Sequence, residues 1–169
     1  MARLARARAF IARPSGLVEL RRGGPADRAF VADLGRRTAV DSVSALRPAP
    51  LPLVQRSYEQ LVAFAFERSY VLVIAETGFD GPLGFALMLD DLPDEVSNLP
   101  QGFIAYMAVE PDARRRGVAA QLLGAVEAAA RERHLPFLAL MVTEDNAGAR
   151  ELYAQAGYST ERRLLCKAL

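Results

Sequence analysis

The stretch from Tyr106 to Leu123 constrains what this chain can fold into more than any other. Tyr106-Met107-Ala108-Val109 is apolar and strand-like, Glu110-Pro111-Asp112-Ala113 breaks it with a proline turn, and Arg114-Arg115-Arg116-Gly117 leads into the helical pattern Val118-Ala119-Ala120-Gln121-Leu122-Leu123. A strand that feeds a helix through so short a turn leaves the first helical N–H groups without intrahelical acceptors, and the helix dipole turns its positive end to the same place. Such a corner suits phosphate. It also dictates what lies beside it, because a helix between two strands favours a parallel, right-handed crossover.

The remaining elements follow from periodicity and punctuation. Leu17-Val18-Glu19-Leu20 is a short strand signal closed by Arg21-Arg22-Gly23-Gly24, and Pro25 opens a helix whose Phe30, Val31, Leu34 and Thr38 recur at helical spacing as far as Val40. After Pro48, Pro50 and Pro52, a second helix presents Val54, Tyr58, Leu61, Val62, Ala65 and Phe66 on one face. Tyr70–Ala75 and Pro82–Leu89 form a hairpin about the Thr77–Gly81 turn. Asp90–Gln101 is a polar loop, and Gly102–Val109 is the strand entering the corner. The helix after it runs to about Arg133 with Val118, Leu122, Val126 and Ala129 or Ala130 inward. Phe137–Val142 is a strand, Asn146 begins a last helix that Gly157 ends, and Tyr158–Lys167 reads as a closing strand. The expected order is β-α-α-β-β-β-α-β-α-β, a sheet with helices on its faces, where ligands bind at the carboxyl ends of the strands.

Composition narrows the classes of function. A chain of 169 residues suits one domain, large enough to bury roughly two thirds of its unfolded surface. The single cysteine, Cys166, excludes an internal disulfide framework and fits a reducing cytoplasm. The longest uncharged run, Val96–Val109, has 14 residues and a proline. A membrane-spanning helix needs about 20. Residues 1–13 carry Arg3, Arg6, Arg8 and Arg13 and no acid, which leaves the other 156 residues at a net charge of −3. That balance argues against nucleic acid as a partner. The Ala/Arg leader, residues 1–13, reads as a tail without packed structure, a nucleic-acid arm and a transit peptide being the alternatives; residues 14–169 read as the single domain.

Arg114-Arg115-Arg116-Gly117-Val118-Ala119 departs from the Rossmann glycine pattern and lacks the Lys-Ser/Thr pair of a P-loop. It resembles the acyl-CoA signature Q/R-x-x-G-x-G/A of GNAT superfamily N-acetyltransferases, with Arg114, Gly117 and Ala119 at the three defined places. Asn146-Ala147-Gly148-Ala149-Arg150-Glu151-Leu152-Tyr153-Ala154-Gln155-Ala156-Gly157-Tyr158 resembles a second block of that family, N-x-x-A-x-x-L-Y-x-x-x-G-F, and stands in the right order after the first. The resemblance spans residues 17–167. It implies a mixed, mostly antiparallel central sheet with helices on both faces, and acetyl-CoA as cosubstrate with no metal.

It further implies roles. The turn N–H groups of Arg114, Arg115, Arg116, Gly117, Val118 and Ala119 would cradle the CoA pyrophosphate, with Gly117 allowing close approach. The main chain of Met107 and Val109 would hold the pantetheine arm and polarise the thioester, Asn146 would touch that arm, and Tyr153 would be the general acid toward the departing thiolate. The residues alone also support plainer readings: Arg115 and Arg116 as solvated side chains, Asn146 as a helix cap, and Tyr153 as a core aromatic sharing a face with Ala149, Leu152 and Ala156.

The base is less well marked. An alkylammonium of pKa about 10.4 is neutral only about once in 2,500 molecules at pH 7, so a proton must leave before attack. Family members that acetylate ribosomal protein N-termini tend to place a glutamate on the strand before the asparagine block, and Met141 stands there instead. Glu110, with Glu144 and Asp91 behind it, is the remaining carboxylate candidate; His134, at a helix end before Pro136, reads as a surface imidazole, and water-mediated deprotonation needs no dedicated residue. The acceptor, an amine on a small molecule or protein, is expected between helices one and two, the Asp90–Gln101 loop and the last strand. Homodimerisation is left open, and a non-catalytic acyl-CoA-binding module is the rival function.

Overall fold

The computed structural model describes residues 17–169, and the leader expected at residues 1–13 lies outside them. Its elements are β1 (Glu19–Arg22), α1 (Arg28–Thr38), α2 (Leu51–Phe66), β2 (Tyr70–Thr77), β3 (Gly81–Leu89), β4 (Gly102–Val109), α3 (Val118–Glu132), β5 (Leu138–Leu140) and α4 (Ala147–Gln155). Single 3-10 turns at Pro25–Asp27, Ala39–Ser42 and Pro111–Ala113 lead into or out of them. The five strands lie in the order β1-β2-β3-β4-β5. The first four are antiparallel neighbours, and β5 joins β4 in parallel through the α3 crossover.

The sheet is covered on both faces, which is why β2 and β3 read as continuous apolar runs rather than alternating ones. Val71, Val73, Ala75, Ala86 and Met88 pack beneath α3 with Val118, Leu122 and Val126. The intervening Leu72, Ile74, Phe85, Leu87 and Leu89 pack beneath α1 and α2 with Val31, Leu34, Tyr58 and Val62. Helices α1 and α2 approach closely at Gly35, where a Cβ would stand 1.9 Å from the Tyr58 ring. The buried Tyr58 hydroxyl donates to the Val31 carbonyl at 2.8 Å, so the phenol does not leave an unmet polar atom in the core.

Two expectations are corrected. The first strand is displaced toward Arg21 and Arg22, because Arg21 aligns with Ile74 and its guanidinium reaches Glu76 at 2.8 Å and Asp27 at 2.7 Å. The closing strand Tyr158–Lys167 does not form: no strand occurs in residues 158–169. β5 is three residues long and offers little edge to pair with, while Glu161-Arg162-Arg163 carries charge that Arg162 satisfies at the surface on Asp94 and Glu95. Leu164 and Leu165 are left 85% and 89% exposed.

Candidate functional site

The corner between β4 and α3 is built as a sharp, open bend. Ala113 is buried beneath the Pro111–Ala113 turn and pins it to the core. Arg115 then takes φ 61° and Gly117 φ 78°, both left-handed. For Arg115 this costs on the order of 1 kcal/mol, a strain of the kind that marks functional turns. The bend leaves six consecutive N–H groups, residues 115–120, without a hydrogen-bond acceptor among the described residues. No side chain caps α3 and no acid occupies its first turn. Above Gly117 a Cβ would meet nothing within 4 Å. Successive N–H groups, a positive helix end and open space are together what an anion site needs.

The arginines divide. Arg115 and Arg116 are exposed and have no ion-pair partner among the described residues. Arg114 turns back, donating from Nε to the Val109 carbonyl at 3.3 Å and from Nη2 to Asp41 at 2.9 Å. Glu110 engages both carboxylate oxygens with Arg37, at 2.6 and 3.0 Å. It therefore holds a structural partner from α1, a bidentate geometry stronger than an ordinary surface pair. The other acids considered as bases are also paired: Glu144 with Arg150 at 3.1 Å and Asp91 with Arg68 at 3.1 Å. His134 sits at φ 55° just past the end of α3.

Beside the cradle the sheet forks. β4 pairs with β5 only from Gly102–Leu138 to Ile104–Leu140, and residues 105–109 run on without a β5 partner. A bulge at Ala105 shifts the β3 register between Leu87 and Met88, so Ala105 and Tyr106 both face α1 and α2 while Met107 and Val109 face α3. On the far side of the fork Asn146 caps α4, its Oδ1 accepting the Ala149 N–H at 3.2 Å. That leaves its amide nitrogen for another partner.

Tyr153 packs against the core under α3, its ring 5.9 Å from that of Tyr158. Burial raises its phenol above the usual tyrosine range. Its hydroxyl has no hydrogen-bond partner among the described residues, and neither has the buried hydroxyl of Tyr158, which faces the Glu127 carboxylate outside bonding geometry. Met141, just past β5, is 80% exposed.

On the face toward α1 and α2, the Tyr106 ring lies 4.6 Å from that of Tyr58, and its hydroxyl comes among Thr38, Ser42, Asp41 and Arg114. The residues alone give no site role to Arg37, Asp41 or Ser42, because Glu110, Arg114 and Thr143, which they meet here, lie far along the chain. The one local hint was the spacing of four between Arg37 and Asp41, matched by that between Glu110 and Arg114. The acidic loop after β3 is less negative than its composition suggests, since Asp90 meets Arg133 at 2.5 Å, Asp91 meets Arg68, and Asp94 meets Arg162.

Comparison with known proteins agrees with this geometry. Residues 40–158 match the model of the acetyltransferase (GNAT) family, and the chain belongs to that family. No curated protein matches the sequence. A GCN5-related N-acetyltransferase from Ralstonia eutropha JMP134 is similar in structure, with 21% identity, a TM-score of 0.70 and coverage of 89% of this chain and 98% of that one. A ribosomal-protein-alanine N-acetyltransferase from Brucella melitensis biovar Abortus 2308 is 22% identical, with a TM-score of 0.64 over 90% of this chain and 99% of that one. An acetyltransferase from Clostridium acetobutylicum, solved with acetyl-CoA, is 20% identical, with a TM-score of 0.61 over 89% and 96%. At these identities the likeness establishes the fold, a mixed, mostly antiparallel sheet with helices on both faces. No helix among the described residues is long and apolar enough to cross a membrane.

Proposed function

We propose that this chain transfers an acetyl group from acetyl-CoA to a primary amine. The observation that carries the reading is the run of six N–H groups, 115–120, left without acceptors among the described residues at the positive end of α3. A pyrophosphate fits that chemistry: it is anionic, accepts several hydrogen bonds at once and needs the side-chain-free approach that Gly117 allows. The N–H groups of Arg115, Arg116, Gly117, Val118 and Ala119 hold it, with Arg114 beside them. The main chain of Met107 and Val109, on the unpaired part of β4, holds the pantetheine arm, and the amide nitrogen of Asn146 reaches it from the other branch of the fork.

When bound, acetyl-CoA supplies a thioester carbonyl at which an amine nitrogen forms a C–N bond as the C–S bond breaks. Tyr153 donates a proton toward the leaving sulfur. Its raised pKa keeps the phenol protonated throughout the neutral range, though it makes the donation more uphill toward a thiol of pKa about 8.5. Glu110, held by Arg37, serves position rather than proton removal, and the ammonium proton leaves to water. The acceptor meets the site from the Tyr58 and Tyr106 side.

The test is a screen of α-amines, alkylamines, polyamines and peptide N-termini that follows thiol release from acetyl-CoA. Turnover with at least one amine is expected, and its rate should rise with pH as the acceptor loses its proton, with no decline from Tyr153 below about pH 10. Tyr153→Phe should lower kcat about tenfold or more and leave CoA affinity near that of the unaltered protein. Binding of acetyl-CoA with no thiol release across the panel contradicts catalysis, and an unchanged rate in Tyr153→Phe removes the acid role.

A further inference from the structure

The connection between α1 and α2 is fastened to both branches of the fork. On the β4 branch Arg37 grips Glu110 through two nitrogens, at 2.6 and 3.0 Å, and Asp41 holds Arg114 at 2.9 Å. These two ion pairs have opposite polarity and the same spacing of four residues on each side, so they fix direction as well as contact. On the β5 branch Thr143 Oγ1 donates to the Ser42 carbonyl at 2.6 Å, and the Ala45 N–H donates to Asp145 Oδ2 at 2.9 Å. Thr143 and Asp145 lie three residues and one residue before Asn146. Between the branches the sheet supplies no restraint, since the β4–β5 ladder stops at Ile104 and Leu140.

The strap itself is braced. Turn bonds from Val43 N–H to the Val40 carbonyl and from Arg47 N–H to the Ser44 carbonyl, at 3.1 and 3.0 Å, keep it folded. Beneath its start the Thr38 hydroxyl is buried and donates to the Leu34 carbonyl at 2.9 Å, which ties the strap to the last turn of α1.

We infer that residues 37–45 form a strap that sets the width of the β4–β5 fork, making Arg37, Asp41, Thr143 and Asp145 positioning residues for the CoA arm. The inference rests on the acyl-CoA reading of the cleft. Each contact is partly exposed, and a partly exposed pair by itself is weak. Linked in series they act differently: a strap does its work only while both ends hold. Cutting either end releases the fork, and cutting both releases nothing more.

That logic gives a signature which two independent stabilising contacts would not produce, because distant independent effects add in free energy. One variant, Arg37→Glu with Asp41→Asn, cuts both ion pairs of the β4 end; a second, Thr143→Val with Asp145→Ala, cuts the β5 end; a third combines them. CoA affinity is read by calorimetry on the full chain, and thermal unfolding verifies that each variant is folded. Each cut should weaken CoA binding about three- to tenfold, and the combination should be no weaker than the weaker of the two. Glu110→Arg added to Arg37→Glu should restore affinity to within about twofold by re-forming the pair with its charges exchanged. Should Arg37→Glu fail to fold, Arg37→Gln replaces it with the same expectation. Effects that multiply in the combined variant, or affinity untouched by either cut, overturn the strap while leaving the cofactor reading intact. No CoA binding by the unaltered protein overturns both.

Discussion

Helices α3 and α4 both begin beside the fork, and they begin in opposite ways. α4 is closed: Asn146 accepts the Ala149 N–H, and the donors of its first turn are answered in part by the chain itself. α3 is open: Gly117 stands at its N-cap in a left-handed conformation with no side chain to offer, three arginines precede it, and six N–H groups have no acceptor among the described residues. A third start, the turn at Pro25, is closed as well, by the Asp27 carboxylate accepting the Gly24 N–H at 2.9 Å while bridging to Arg21. Capping is worth about 1 kcal/mol and is available to almost any sequence. Side-chain caps are absent at α1 and α2 as well, so what sets α3 apart is its run of six N–H groups without an acceptor among the described residues, the feature on which the proposed anion site rests.

The comparison can be broken most severely by closing the open start. Gly117→Asp places a carboxylate in the cradle at a position where aspartate tolerates positive φ. CoA affinity should fall roughly a hundredfold through like-charge repulsion, with little loss of thermal stability, as calorimetry and unfolding would show. A gentler pair separates strain from binding. Gly117 and Gly157 both have positive φ, 78° and 90°, and a Cβ on either meets nothing within 4 Å. Alanine at either should cost about 1 kcal/mol of stability, yet only Gly117→Ala should weaken CoA, by about tenfold. Equal CoA affinity in the two variants would deny Gly117 its role in close approach.

The closed starts give smaller effects of the ordinary kind. Asn146→Ala should lose about 1 kcal/mol of stability, with Asn146→Asp retaining it; a CoA deficit in the aspartate variant would separate the amide nitrogen's contact from the cap. For Asp27, bonds to Arg21 and to the Gly24 N–H hold the carboxyl below its ordinary value of 3.8. Its folded pKa is thus depressed, so its stabilisation is present above about pH 4 and is lost as pH falls below that. Asp27→Asn should lower stability by about 1 kcal/mol at pH 7 and flatten the acid limb of a thermal-midpoint titration.

Much of this architecture could be read from periodicity because the sheet is covered on both faces. Gly102–Val109 is observed with the bounds the residues suggest, and Val118, Leu122 and Val126 face the core as their spacing demands. Asn146 caps α4, as an asparagine ahead of a helical run suggests. What depended on distant partners was not legible. The closing strand at Tyr158–Lys167 had the right residue types but no adequate edge, since the short length of β5 is decided by where β4 diverges. The residues put the Arg114 N–H in the cradle, but the turn engages it with the Pro111 carbonyl at 3.3 Å and its side chain reaches Asp41, 73 residues away; Glu110 reads as an available carboxylate and is engaged by Arg37, also 73 residues away. The open run of N–H groups was legible because it is made of backbone, whose donors can be counted along the chain, whereas the ion pairs of residues 37–45 are side-chain meetings that only the fold brings about.

The amides of residues 115–120 can be followed one by one in amide nitrogen–proton correlation spectra during titration with CoA. Saturable shifts should be largest at 115–120, accompanied by smaller ones at Met107, Val109 and Asn146, with the amides of the closed starts at Asp27 and Ala149 unmoved. Saturation with the 115–120 amides unmoved while others shift would contradict the proposed anion site.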